Sequence, residues 1–332
     1  MAHQIDMTTG KAAMAYVGEK PWHGLGQELT AGTSLDIWAK EAGMDWTIKQ
    51  AVPTFKVDGA DDVVAFDNRK ILYRSDTNAP LSVVSDSYKI VQPREVLEFF
   101  RDLVSSAGGM TLETAGCLFG GSRYWALAST GRQESVLGGG KDPVKGMLLL
   151  TTSCDGSIAT MAKFTSVRVV CNNTLKIALS NAAAVGDSIK VTHNSVFDPM
   201  KIKSSLGLLD AGWEKFAATL HTLADAKISD AGAKKFIAEI MLNAKQLDDY
   251  NKGVKLHERI ANKLDTVFSL YDGKGMGADD VRGSLWGAVN AVTEYVDHHV
   301  GRIPDNALWN SWFGAGETMK NNAFEKAVEW AV

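Results

Sequence analysis

The chain has 332 residues, of which 45% are hydrophobic and 22% charged, with a formal net charge of −4. This length and apolar content allow about two domains with a sizeable core and argue against disorder. The acidic balance excludes a histone-like binder held by overall charge, although a local basic groove is compatible with it.

Three cysteines (Cys117, Cys154 and Cys171) without a Cys-x-x-Cys pair argue against a disulfide framework and the usual structural zinc site. No apolar run approaches the roughly 20 residues that span a bilayer. The first six residues lack the basic start and apolar stretch of a secretory signal. The expectation is a cytoplasmic protein with no membrane partner.

The first 60 or so residues read as irregular, with a turn at Pro21-Trp22-His23-Gly24-Leu25-Gly26 and a short helix capped by Ser34. Strand patterns then dominate to about residue 170. Val63 to Phe66, Asp67-Asn68 and Arg69 to Arg74 read as a hairpin, and Leu81 to Val84 with Tyr88 to Val91 as another. Pro93 suits a first helical turn, and Val96, Leu97, Phe99, Phe100, Leu103 and Val104 form its apolar stripe up to Gly108-Gly109. Strands follow at Met110 to Thr114, Arg123 to Ala128, Met147 to Ser153 and Ile158 to Phe164, with Asp155-Gly156 a two-residue hairpin signal. Asn172 or Asn173 is placed to cap a helix from Leu175 to about Ala184.

Helical patterns take over beyond residue 198. They cover Met200 to Ala224, Ala231 to Ala244, Val254 to Tyr271 and Ser284 to His299, with a pair near the C-terminus. The expected fold class is α+β: antiparallel β-hairpins with packed helices in the N-terminal and middle region, followed by a helical C-terminal region. The expected division is 1–197, a nucleic-acid-binding domain, and 198–332, a helical region.

One window stands out chemically. Gly156 to Gly186 contains no Asp or Glu yet carries Lys163, Arg168 and Lys176. An arginine beside the free N–H groups of a helix start is an anion site, and phosphate is the common anion for it. The plainer alternative is a buried strand with one paired arginine. Arg123-Tyr124-Trp125 and Lys163-Phe164 place cations beside rings, the mixture that single-strand binders use for backbone and base contacts. The residues expected to contact nucleic acid are therefore Arg123, Tyr124, Trp125, Lys163, Arg168, Lys176, Asn172 and Asn173.

Cys171 with His193 as base is the enzymatic alternative, but no nucleophile signature surrounds the cysteine. His298 and His299 point about 100° apart on a helix and are poorly placed to share one ion. No catalytic residue, metal or cofactor is expected.

Several stretches together carry a resemblance: Pro21-Trp22-His23-Gly24-Leu25-Gly26, Gly120-Gly121-Ser122-Arg123-Tyr124-Trp125-Ala126-Leu127, Asp155-Gly156-Ser157, Arg168 to Leu175, and Trp286 to His298. With Tyr88, Val91 and the helix from Pro93, they resemble a phage- and plasmid-borne family catalogued as a domain of unknown function, DUF932. Cys154 stands where a histidine is expected. The middle region also resembles, through its order of elements, the Rad-type single-strand annealing fold. That likeness implies single-stranded DNA as partner, a homo-oligomer and no cofactor. The expected function is single-stranded-DNA binding that promotes annealing in recombination or replication. An enzyme, a nuclease or thiol-dependent hydrolase, and a non-catalytic interaction module are the alternatives.

Overall fold

The computed structural model describes residues 4–18, 20–21, 24–59, 62–107, 110–137, 141–168, 173–176, 188–195, 198, 206–300 and 307–332. At 104–107, 168, 173–176, 188, 206–211 and 307–308 it describes the backbone alone. The architecture is α+β, with antiparallel pairing dominant and helices filling the C-terminal region. The chain divides into two compact units. One comprises 1–131, 147–164 and 182–207, the other 132–146, 165–181 and 208–332.

In the first unit, β1 (Met14–Val17) lies between β2 (Gln27–Leu29), which it pairs in parallel, and β8 (Thr111–Leu118), which it pairs antiparallel. β9 (Arg123–Leu137), β10 (Lys141–Ser153) and β11 (Thr160–Arg168) extend this sheet in order, with 123–131, 147–153 and 160–164 belonging to the first unit and their remaining residues to the second. β13 (Ser188–Val191) pairs with the first half of β11. Helix α1 (Leu35–Glu41) packs on α2 (Pro93–Ala107), which also contacts β8. Pro93 opens α2 as expected, and Val96, Leu97, Phe99, Phe100 and Leu103 are all buried on its apolar stripe.

A second, smaller sheet has the order β3 (Ile48–Ala51), β6 (Arg69–Arg74), β7 (Pro80–Ser85). A separate two-stranded ribbon joins β4 (Thr54–Lys56) to β5 (Val63–Ala65). The expected hairpin between β5 and β6 is therefore corrected. Asp67-Asn68 lacks the glycine that a two-residue hairpin turn favours. Arg69 N–H instead donates to Phe66 O at 3.3 Å, and the chain turns away. The strand expected at Tyr88 to Val91 is also absent. Tyr88 and Val91 are buried singly rather than laddered.

In the second unit, β12 (Asn173–Lys176) pairs antiparallel with the end of β11. The helix expected from Leu175 is thus a strand over its described residues, and 177–187 lie outside them. The helices are α3 (Leu206–Asp225), α4 (Asp230–Met241), α5 (Ala244–Asn251), α6 (Glu258–Ser269), α7 (Ala278–Val281), α8 (Leu285–Glu294), α9 (Ala307–Phe313) and α10 (Ala315–Ala331). Every residue of α8 is buried. It packs on α4, α6, α7, α10 and β12, so it forms the centre of this unit. Asn243 and Gln246 form a reciprocal capping box that ends the α4 pattern and starts α5, a break that the apolar spacing alone does not reveal.

Candidate functional site

The turn at Phe119–Gly121 sets the geometry on which the first unit's polar residues depend. Gly120 and Gly121 have φ of 68° and 94°, the left-handed region that glycine enters at little cost. At Gly121 a Cβ would also lie 2.8 Å from Arg74 Nη1 and from a ring carbon of Trp46. Glycine here therefore allows the turn and lets Arg74 approach. The Arg74 guanidinium is 1% exposed and lies 4.3 Å over Trp46. It donates to Asp6 at 2.5 Å and to Asp76 at 2.8 and 2.9 Å, and Nη1 reaches Gly120 O at 3.1 Å. Burial disfavours its charge, but the two carboxylates outweigh burial and raise its pKa.

Just beyond the turn, Ser122 and Arg123 meet the loop between β10 and β11. Ser122 Oγ donates to Asp155 Oδ2 at 3.3 Å, and Arg123 Nε lies 3.5 Å from the same oxygen. Ser157 N–H donates to Asp155 Oδ1 at 2.8 Å. Burial pushes the Asp155 carboxyl upward, but the Ser157 hydrogen bonds and the Arg123 charge hold it below the usual range. Arg123 also stacks 4.2 Å from the Phe119 ring. The loop runs from 154 to 159, longer than the two-residue turn that Asp155-Gly156 suggests.

Tyr88 and His193 meet beside this loop. Their rings stack at 4.4 Å with 17° between planes. Tyr88 Oη donates to Ser153 O at 2.8 Å. His193 Nε2 lies 2.9 Å from Ile158 O and Nδ1 3.2 Å from Lys89 O. Both ring nitrogens thus face backbone carbonyls, and the imidazole braces three segments. Cys154, 1% exposed, has a thiol pushed up to about 12, mainly by burial. Cys117 is raised further by the same cause. Neither is a ready thiolate.

Of the residues expected to bind nucleic acid, the structure describes the side chains of Arg123, Tyr124, Trp125 and Lys163. Tyr124 and Trp125 are each 1% exposed, so their stacking role is corrected: both rings fill the core. Tyr124 Oη donates to Val91 O, and Trp125 packs over Gly116. Lys163 is buried, which removes it from a solvent-facing phosphate path. Arg123 is engaged by Asp155 and Phe119. Arg168 stands in register with Asn173, and Lys176 with Thr165, in the β11–β12 pair. The expected helix N-terminus is absent at Asn173, and with it the backbone anion site there. Asn172 and Cys171 lie outside the described residues.

The Trp286 to His298 stretch proves to be mostly scaffold. Trp286 Nε1 donates to Asp142 Oδ2 at 2.6 Å, and Asn290 Nδ2 to Trp286 O at 2.9 Å. Glu294 is buried and accepts from Met276 N–H at 3.0 and 3.2 Å. Asp297, at a π-helical turn over Tyr295–His299, accepts from Lys320 Nζ at 2.7 Å and from Ser311. Among the described residues, no group of three or more His, Cys, Asp or Glu side chains is placed to hold a metal ion.

A family model described as "Domain of unknown function (DUF932)" matches residues 80–323. The chain belongs to the DUF932 family. No curated protein and no solved structure matches it. The DUF932 match spans Tyr88, Ser122, Arg123, Asp155, His193 and the α8 scaffold. Asp6, Trp46, Arg74 and the β4–β5 ribbon precede it. Sequence reasoning missed the Asp155 and Tyr88–His193 contacts. Asp155 read only as a turn residue, and nothing in local spacing links positions 88, 158 and 193.

Proposed function

We propose that this DUF932 protein binds single-stranded DNA and promotes strand annealing, in the bacterial cytoplasm and in the replication or recombination of a phage or plasmid. The observation that carries the reading is the acid-free stretch 156–186 within a chain of net charge −4, and the strand pairing of its centre. β11 and β12 bring Arg168 opposite Asn173 and Lys176 opposite Thr165. An antiparallel pair bearing cations and amides, with no carboxylate in its connecting residues, is suited to a phosphate backbone. Since Tyr124 and Trp125 are buried, the reading rests on phosphate contacts without base stacking by those rings. It therefore implies little sequence preference and a steep salt dependence. Annealing is driven by base pairing and asks no cofactor of the protein.

The thiol-hydrolase alternative draws no support from the described residues. Its expected nucleophile, Cys171, lies outside them, and of the expected pair only His193 is described, with both ring nitrogens facing backbone carbonyls. No described helix is long and apolar enough to cross a membrane.

The test is fluorescence anisotropy with a labelled oligonucleotide, single- and double-stranded, across a salt series. Each phosphate contact is expected to add about 0.7 to the log–log slope for the single strand. Micromolar protein that leaves the single strand unbound at low salt would end this reading.

A further inference from the structure

The β4–β5 ribbon has an uncovered apolar face. Phe55 and Val64 stand opposite one another in register, and alternation puts Val57 and Phe66 on the same side. These four are 50, 41, 49 and 48% exposed, respectively. The ladder continues to the ribbon's foot, where Phe66 N–H donates to Pro53 O at 2.8 Å. A lone two-stranded ribbon is marginal in water, and one with a continuous apolar face gains stability mainly by packing that face on something.

A second uncovered surface lies close by in the chain. On the small sheet, Ile48, Leu72, Arg74 and Val84 are buried on the inner face. The register puts Ile71 opposite Val83 and Lys49 opposite Tyr73 on the outer face, with Arg69 in line. Val83 is 62% exposed, Ile71 and Tyr73 are half-exposed, and Lys49 and Arg69 are exposed.

Charge separates the two surfaces. The ribbon's tip carries Asp58 and Asp62. The outer sheet face is apolar and flanked by Lys49 and Arg69. Asp67 and Asp86 also lie near the ribbon's foot, but Asp86 is engaged by Lys70 at 3.8 Å. An acidic-tipped apolar ribbon thus complements a cation-flanked apolar sheet.

We propose that the ribbon is a homodimerisation arm, exchanged with a second copy of this chain. Each copy lays its Phe55/Val64/Phe66 face on the outer face of the partner's small sheet, with Asp58 and Asp62 against Lys49 and Arg69. A two-fold axis satisfies both surfaces at once, because each chain supplies one ribbon and one seat. The exchange is independent of DNA binding, since none of these residues belongs to the β11–β12 pair.

Analytical ultracentrifugation at micromolar concentration tests it, with far-UV circular dichroism as the check on folding. The wild type is expected at twice the chain mass of 35.8 kDa. Phe55→Ser with Phe66→Ser is expected to halve that mass. Asp58→Lys with Asp62→Lys, and separately Lys49→Asp with Arg69→Asp, are each expected to halve it as well. An equimolar mixture of the two charge-reversed proteins should regain the doubled mass, because every ribbon then again meets a seat of opposite charge. These charge pairs keep the test decisive if the Phe pair does not fold. A wild type at single-chain mass would leave the ribbon to some other partner and overturn the proposal. So would a doubled mass that survives the substitutions, or a mixture that stays monomeric.

Discussion

Arg74 has the most consequential electrostatics of any single residue in the first unit. Its guanidinium is buried under Trp46 and shared by Asp6 and Asp76. Removing the cation would leave Asp6, itself 4% exposed, as a buried carboxylate without its main partner. Breaking one side of a buried pair costs about 3–5 kcal/mol, so Arg74→Ala should lower the urea midpoint sharply without changing the slope. The same cluster sets an acid dependence. The Arg74 hydrogen bond is the largest influence on Asp76, and it holds that carboxyl below its ordinary value against burial. Its contribution to stability is thus complete above the unfolded-state value near ~3.9 and is lost as pH falls through the lower folded value. Asp76→Asn should flatten the stability–pH curve in that acid range and leave its shape near neutrality unchanged. Cys154 gives a third residue-scale expectation. With its thiol pushed up to about 12, it should resist a disulfide reagent at pH 8 in the folded protein and react promptly in urea. Fast labelling of Cys154 in the native state, located by peptide mapping, would contradict its burial.

At the scale of elements, the decisive feature is that β12 is a strand. Asn172-Asn173 ahead of an apolar run reads locally as a helix cap, and Asn also favours turns. The unpaired edge at the end of β11 offers a ladder, and tertiary pairing overrides the local signal there. The proposed binding of single-stranded DNA would then rest on side chains rather than helix N–H groups. Arg168→Ala and Lys176→Ala should each weaken single-strand binding and each lower the salt slope by about 0.7, with additive effect. Unchanged slopes in folded variants would remove this hairpin from the interface. The helices with strong 3.6-residue periodicity, α1, α2, α4, α6 and α8, were legible within a few residues at their ends. So were β8 and β11, but of β9 and β10 only the parts Arg123–Ala128 and Met147–Ser153 were read, and 129–137 and 141–146 of these strands were missed. Pairing was much less legible. Whether Val63 to Ala65 joins β4 or β6 depends on a partner only three residues long, Thr54–Lys56, which carries no strong pattern. Which ring of Arg123-Tyr124-Trp125 faces solvent also could not be read. Alternation assigns opposite faces, but here both faces of β9 at that point are covered, since Tyr124 and Trp125 are both buried. The cation–aromatic pattern therefore reported on core packing and not on a binding surface.

At the scale of the whole molecule, the chain passes repeatedly between its two units. The second takes 132–146 and 165–181 from the middle of the sequence as well as 208–332. A composition-based cut near residue 198 separates strands from helices, but it also strips the helical part of segments that contact its centre. Trp286, 1% exposed in the first turn of α8, gives its indole N–H to Asp142 at 2.6 Å. α8 and α10 both pack on β12. A 198–332 fragment loses the indole's acceptor and exposes the apolar surface that β12 covers. A buried donor left without its partner costs about 1–3 kcal/mol, and the exposed apolar area adds to that at about 25 cal/mol per Å². Against a typical domain stability of roughly 5–15 kcal/mol, these losses fall on one helix core. The fragment is therefore expected to keep helical far-UV signal, lose near-UV signal, bind ANS and melt without a sharp transition, as expanded compact states do. Supplying residues 132–181 in the same polypeptide, through a linker to 208–332, should restore a cooperative melt. A dispersed amide spectrum and a sharp transition from 198–332 alone would show instead that the helical region folds without its two borrowed segments.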